Sequence, residues 1–170
     1  MPDFYLLDAN IFIEAKRRYY AFDVCPGFWE ALLAHHGNGN LRSVDRVRTE
    51  LVRGADDLAE WVINQVPSGL FDGTDDATIA GQFGSMMAWV QAQTQFMPIA
   101  KAEFASAADG WVGAYAKVHG FIVATHEVAK PDARKRVPLP NVCDAFGVPY
   151  INTFDMLRAL GTRFAWDRPA

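Results

Sequence analysis

The sequence lacks any apolar run of the roughly 20 residues that a membrane-spanning helix needs, and it has no repeat or low-complexity tract. Cysteine is scarce: two in 170 residues, Cys25 and Cys143. That excludes a disulfide miniprotein. The opening MPDFYLLDAN carries an acid among its apolar positions and no basic leader, so a reduced, cytoplasmic protein is expected. There is no excess of positive charge: 16 Lys+Arg stand against 20 Asp+Glu, net −4. Such a balance argues against tight, non-specific binding along a nucleic-acid backbone, though not against an enzyme that touches a short stretch of one. Several catalytic signatures are missing too. No GxGxxG or P-loop follows a strand, which excludes the usual nucleotide cofactors, and there is no GxSxG elbow. His126-Glu127 lacks the second histidine of a zinc-protease helix, and His126 with Cys143 lacks the CxxC of a deaminase zinc site. Asp8-Ala9-Asn10 lacks the second aspartate of the haloacid-type hydrolases.

What is present is a core-forming chain. Apolar types make up 51% and charged types 21%, enough for one globular domain over residues 1–170. Of the 16 cations, 11 are arginine, the side chain suited to forked phosphate contacts. They cluster at Lys16-Arg17-Arg18, at Arg42, Arg46, Arg48 and Arg53, and at Arg134-Lys135-Arg136. Each cluster reads equally as a solvated face.

Strand and helix signals alternate. Phe4–Leu7 reads as a buried strand, and Asn10 as the cap of a helix over 11–20. Pro26 opens a second helix that ends before the loop GNGN at 37–40. A strand near Leu41 follows, then a helix to Arg53 with Ser43 and Asp45 as candidate caps. A further helix spans 56–65, and Leu70-Phe71 reads as a third strand. Ile79, Phe83, Met86, Met87 and Val90 fall at helical spacing, which predicts one long helix over 74–96. The stretch 72–104 reads as a helical insertion. Ser106 and Asp109 read as a capping box for a helix over 107–118 that ends at Gly120. Phe121–Thr125 is the clearest strand. Asn141 and Thr153 are candidate caps of two last helices, flanking a strand at 149–151. This alternation predicts a three-layer α/β/α sandwich on a parallel sheet of about five strands. Ligands in such folds bind at the carboxyl ends of the strands, where strand order reverses.

Four acids fall near those ends. Asp8 closes the first strand, Glu127 lies two residues past the Phe121–Thr125 strand, and Glu50 lies on the helix after the second strand. Asp109 opens the helix leading into the Phe121 strand. Grouped carboxylates must protonate or hold a cation, and oxygen-only donors favour magnesium or manganese. Each acid also has a plain reading. Asp8 suits a strand-to-helix turn, Glu50 can pair with Arg46 or Arg53, and Asp109 suits a helix dipole. Glu127 suits loop surface, and Asp144 and Asp155 read as dipole partners in the first turns of their helices.

In order and spacing the motifs resemble the PIN-domain nucleases. YLLDANIFI resembles their opening strand, SVDRVRTEL their second motif, DGWVGAYAKVHGFIVATHE the third and fourth, and PYINTFDML the closing strand and helix. The nearest subgroup by this resemblance is that of bacterial proteins similar to VapC-type toxins. The resemblance implies a PIN-like fold and a magnesium- or manganese-dependent endoribonuclease, the toxin of a toxin–antitoxin pair. It implies Asp8, Glu50 and Asp109 as metal ligands and Glu127 as the fourth acid. Asn10 would orient Asp8 or a water, and Ser43 would support the site by hydrogen bonding. Arg17, Arg18, Arg42 or Arg46 would hold flanking phosphates. It also implies an RNA substrate, an antitoxin partner and a homodimer. The alternative is a non-catalytic PIN-like module that binds protein or nucleic acid. Two features depart from the family pattern: the fourth acid is Glu where Asp is common, and 72–104 is longer than in the small toxins.

Overall fold

The computed structural model describes residues 3–169. Met1, Pro2 and Ala170, at the ends of the expected domain, lie outside the described residues. Among the described residues the five strands are β1 (Tyr5–Leu7), β2 (Leu41–Val44), β3 (Phe71–Asp72), β4 (Ile122–Ala124) and β5 (Tyr150–Ile151). All pair in parallel, in the order β3-β2-β1-β4-β5. β1 is central: Tyr5 lies opposite Leu41 on one side and Ile122 on the other. Its three residues are apolar and buried, as a strand covered on both faces must be.

The connections place helices on both faces. α1 (Ala9–Glu14), continuing as a π-helical turn (Ala15–Tyr19), and α2 (Pro26–Gly37) join β1 to β2. α3 (Asp45–Arg53) and α4 (Asp57–Asn64) lead to β3. α5 (Ala77–Ala92), α6 (Pro98–Ser106) and α7 (Asp109–His119) return the chain to β4. α8 (Leu139–Phe146) leads to β5, and α9 (Thr153–Ala159) follows it. Parallel crossovers are right-handed. The two that step from β1 out to β3 therefore lie on one face, and the two that step back through β4 to β5 lie on the other. The packing agrees: α1 and α4 touch α3, while α5 and α8 touch α7. The result is the three-layer α/β/α sandwich that the alternation predicts.

The stretch 72–104 supplies α5 and α6. Ile79, Met86 and Val90 of α5 are buried in the common core. α5 approaches α7 closely because α7 turns two glycines towards it. A Cβ at Gly110 would stand 2.9 Å from both Met87 and Phe83, and one at Gly113 would stand 3.3 Å from the Met86 sulfur.

Helix starts differ from the sequence reading in a consistent way. Except at α7, the residue with extended backbone, not the nearest polar one, becomes the cap. Asp8 (ψ 156°) caps α1 by accepting the Ala9 N–H, and Asn10 lies inside the helix. Ser43 lies in β2 and does not cap α3, whose first residue is Asp45. α5 is shorter than 74–96 because Asp76 caps it at Thr78 and Ile79, and Gln93 turns extended. No capping box forms at Ser106 and Asp109. Ser106 ends α6 with its hydroxyl bonded to the Glu103 carbonyl, and Ala108 is already helical. Asn152 caps α9 in place of Thr153. α8 starts at Leu139, so Asn141 lies within it, its amide bonded to both backbone groups of Lys130 at 2.8 Å. Asp144 thereby falls in the last turn of α8, not the first. Gly120 (φ 73°) and Gly147 (φ 66°) end α7 and α8 in the left-handed conformation that glycine adopts without a Cβ penalty.

Candidate functional site

Strand order reverses between β1 and β4, and the residues just after these two strands interlock. The Asp8 N–H extends the ladder to the Ala124 carbonyl at 3.0 Å. The carboxylate of Asp8, only 2% exposed, accepts the Ala9 N–H at 2.7 Å and the Thr125 hydroxyl at 3.0 Å. That hydroxyl in turn accepts from Asn10 Nδ2 and from the Glu127 N–H, each at 3.1 Å. One donor and two acceptor sites are thus all used, which is the full capacity of a threonine hydroxyl. Asn10 Oδ1 accepts the His126 N–H at 3.0 Å, and the His126 ring bonds Thr153 Oγ1 and stacks on Tyr19. Ser43 donates to the Leu7 carbonyl at 2.7 Å. It therefore fixes the end of β1 one residue ahead of Asp8. Asn10 sits beside Asp8 but bonds Thr125 and His126.

The other three acids border the same edge. Burial pushes Asp8 well above the usual carboxylate range. The charges of Asp109 and Glu127 push the same way, against the hydrogen bonds from Thr125 and Ala9. Asp109, the first residue of α7, is raised to about 7 by burial, then by Glu127 and Glu50, with Arg136 pulling it down. Asp8, Asp109 and Glu127 therefore share one field, and Glu50 reaches it through Asp109. They do not form a ready coordination shell: among the described residues no three His, Cys, Asp or Glu side chains are grouped closely enough to hold one ion. Glu127 is committed elsewhere. It pairs with Arg136, and its other oxygen accepts the Leu139 N–H at 2.8 Å. Carboxylates driven up by burial and mutual repulsion are relieved either by a proton or by a cation.

Glu50 is exposed on α3 and lines a groove of about 740 Å³ with Arg46, Arg53, Glu103 and Trp111. The Arg46 guanidinium lies 4.0 Å from the centre of the Trp111 ring, whose stacking partner is Phe83 at 4.0 Å. Arg46 Nε donates to Thr74, and Thr74 donates to Asp45. Arg46 is therefore held over the groove. Arg42 is not free in this way: its Nη1 reaches both oxygens of Asp72 at 3.0 and 3.1 Å, and Tyr115 shares that carboxylate. Arg17 and Arg18 are exposed on the π-helical turn, Arg18 paired with Glu14 at 3.1 Å.

Sequence reasoning missed Thr125, Thr74 and Arg136. Thr125 carried a signal, since it ends the strand two residues before Glu127. Arg136 and Thr74 sit in irregular segments, where no periodicity indicates what a side chain meets. Asp155 pairs with Arg158 at 2.6 Å and stays apart from the site, as its plain reading expects.

No curated protein matches the chain. A family model described as "Domain of unknown function (DUF4411)" matches residues 5–164, from β1 past the end of α9. The match spans the whole sheet and every acid of the site, and the chain belongs to the DUF4411 family.

Proposed function

We propose that this chain is a magnesium- or manganese-dependent endoribonuclease of PIN-like type, acting as the toxin of a toxin–antitoxin pair. The observation that carries the proposal is the convergence of carboxyl charge at the switch point. Asp8 and Asp109 are both raised far above ordinary acids, each by burial and by the other members of the set. Asp8, Glu50 and Asp109 would hold the ion, with Glu127 as the fourth acid. The chemistry that such an ion would supply, held by these acids, is activation of a water and relief of charge on the phosphoryl oxygens.

The chain's own residues supply the rest. The Ala9 N–H and the Thr125 hydroxyl hold the Asp8 carboxylate in one orientation, which removes the cost of ordering it during turnover. Arg46, anchored by Thr74 and Trp111, and Arg53 line the groove beside Glu50 and would grip flanking phosphates. The exposed Arg17 and Arg18 offer further contacts; Arg42 is occupied by Asp72. The mechanism needs no 2′-hydroxyl, and RNA is favoured through the PIN-like motifs. An antitoxin would cover the acidic centre, and the same motifs favour a homodimer in the cytoplasm.

The test is Asp8→Asn. The variant is expected to lose manganese binding by calorimetry, RNA cleavage and growth inhibition, with its far-ultraviolet dichroism unchanged. Full cleavage in the variant refutes the proposal. A second reading, a non-catalytic PIN-like binding module, is favoured by the spacing of the acids and the engagement of Glu127 with Arg136. It predicts no manganese binding by the folded wild type.

A further inference from the structure

The stretch 72–104 supplies the parts that hold Arg46 over the groove of about 740 Å³. The missing side chain at Gly110 lets Phe83 of α5 come in against α7. There Phe83 lies parallel to the Trp111 indole, with 9° between the planes and 4.0 Å between centres. The Arg46 guanidinium also lies 4.0 Å from the indole centre. Two groups that close to one ring cannot share a face, so Phe83, Trp111 and Arg46 form three successive layers. Thr74, from the same stretch and only 1% exposed, fixes Arg46 Nε at 3.2 Å and is itself fixed by Asp45 at 2.8 Å. Arg46 is exposed, so the guanidinium face turned away from the indole opens on the groove. The groove runs between α3, which supplies Arg46, Glu50 and Arg53, and the junction of α6 with α7, where 105–108 read Ala-Ser-Ala-Ala. Those short side chains keep that wall low. The volume falls within the range of about 300–1,000 Å³ typical of small-molecule sites. Asp45, Glu50 and Glu103 stand against Arg46 and Arg53 in the lining. A lining with that balance opposes a run of phosphates but admits an uncharged flat ring with a single phosphate attached.

We propose that the open face of the Arg46 guanidinium is a platform for one unstacked nucleobase of a single-stranded RNA, a fourth layer on Phe83, Trp111 and Arg46. Single-stranded RNA is recognised largely by stacking its splayed bases on aromatic rings and on arginine planes. Guanidinium is the side-chain cation that stacks, and an ammonium does not replace it. Arg46 is already held by Thr74 and Trp111, so little side-chain freedom is lost when a base arrives. The donor edge of the same fork still reaches a phosphate, as does Arg53. Glu50 lines the same groove and Asp109 follows Ala108 of its wall, so a nucleotide seated there lies next to the acids. The inference rests on the nuclease reading and adds to it a contact that reads bases rather than backbone, and a role for the stretch 72–104.

The experiment measures binding alone, in EDTA, so that the RNA stays whole. Fluorescein-labelled oligo(A), oligo(U) and an abasic strand with the same length and sugar–phosphate backbone are titrated by anisotropy over a range of salt. The proteins are wild type, Arg46→Lys and Arg53→Gln. Wild type is expected to bind oligo(A) about tenfold more tightly than the abasic strand, with oligo(U) between them because a pyrimidine overlaps the platform less. Arg46→Lys keeps the charge and loses the plane. It should bind all three strands alike, with the affinity of wild type for the abasic strand and an unchanged salt slope, which also shows that the variant is folded. Arg53→Gln should lower the log–log salt slope by about 0.7, the value for one phosphate contact on a single strand, and keep the preference for bases. Equal affinity of wild type for oligo(A) and the abasic strand, or a base preference that survives Arg46→Lys, overturns the platform. Either leaves standing the nuclease reading, which asks only for backbone contacts. Adenosine monophosphate that competes as strongly as oligo(A) makes the occupant a free nucleotide and overturns the RNA assignment. Wild type that binds none of the strands overturns the nuclease reading, and the inference with it.

Discussion

Replacing Asp109 with asparagine should stabilise the metal-free protein at neutral and higher pH and do almost nothing in acid. Asp109 has an ordinary value of 3.8 and stands at about 7 in the fold. The folded state therefore holds a proton that the unfolded chain releases between those values. Where the native state binds more protons, stability falls as pH rises. The full stability is present below about pH 4, is lost through the window from about 4 to 7, and stays lost above it. A displacement from 3.8 to about 7, at about 1.4 kcal/mol per pH unit, corresponds to about 4 kcal/mol. Asp8 titrates with Asp109, so the loss belongs to the pair. Asparagine cannot ionise and recovers most of it. It forgoes the favourable charge at the first turn of α7, about 0.3–1 kcal/mol. The expected net gain is about 3 kcal/mol at pH 8, or a rise in Tm of roughly 6–12 °C for a chain of this size. Urea unfolding in EDTA at pH 4.5, 6 and 8 measures it. Wild-type and variant stabilities that run parallel across the three pH values would refute the reasoning, as would a variant less stable at pH 8. Manganese should close the gap by stabilising wild type alone, because a ligand that binds only the native state adds to its stability.

Thr125→Val keeps the shape but removes three hydrogen bonds at once, those to the Asp8 carboxylate, from Asn10 Nδ2 and from the Glu127 N–H. Thermal unfolding should show a loss of about 2–3 kcal/mol, more than one ordinary hydrogen bond. Ser43→Ala removes a single buried bond to Leu7 and should cost about 1 kcal/mol by the same measurement. Gly110→Ala places a methyl 2.9 Å from Phe83 and Met87. Met87 can swing away but Phe83 is stacked on Trp111, so a loss of about 1–3 kcal/mol is expected together with a change in tryptophan fluorescence. Burial pushes the Cys143 thiol up to about 12, while Cys25 is half-buried. A thiol reagent at pH 8 should therefore modify one cysteine in the native protein and two in denaturant; rapid modification of both without denaturant would contradict the buried position of Cys143.

The strands and their order of appearance were legible because their signal is local. FYLL, between Asp3 and Asp8, and FIVA, between Gly120 and Thr125, are short apolar runs, and a strand buried on both faces leaves that trace. The acids after β1 and β4 were legible for the same reason, since Asp8 follows directly on its strand and Glu127 lies three residues past Ala124. Helix starts were less so. Asp8, Asn10 and Ser43 are all good caps by type, and only backbone conformation decides which one accepts an N–H. Asp8 is extended and therefore caps; Asn10 is free to reach Thr125 and His126. What Arg42 and Arg136 do was not legible at all. Both are arginines in basic clusters, yet one is tied to Asp72 and the other to Glu127. Those partners lie 30 and 9 residues away, along paths that no sequence period describes.

The central position of β1 also sets when the acidic edge can assemble. β1 emerges first during synthesis, yet its second neighbour, β4, begins at residue 122. Until then one edge of the middle strand has no partner, and Asp8 has neither Thr125 to orient it nor Asp109 and Glu127 beside it. Closing a contact across 117 residues is slow relative to local helix formation. A nascent chain is thus assembled with its acidic edge open until β4 and Thr125, 117 residues beyond Asp8, have been made. Any fragment that stops short of β4 exposes an apolar strand edge of the kind that recruits other chains. The topology thus acts as a timer: the fold withholds the acidic edge until β4 has been made.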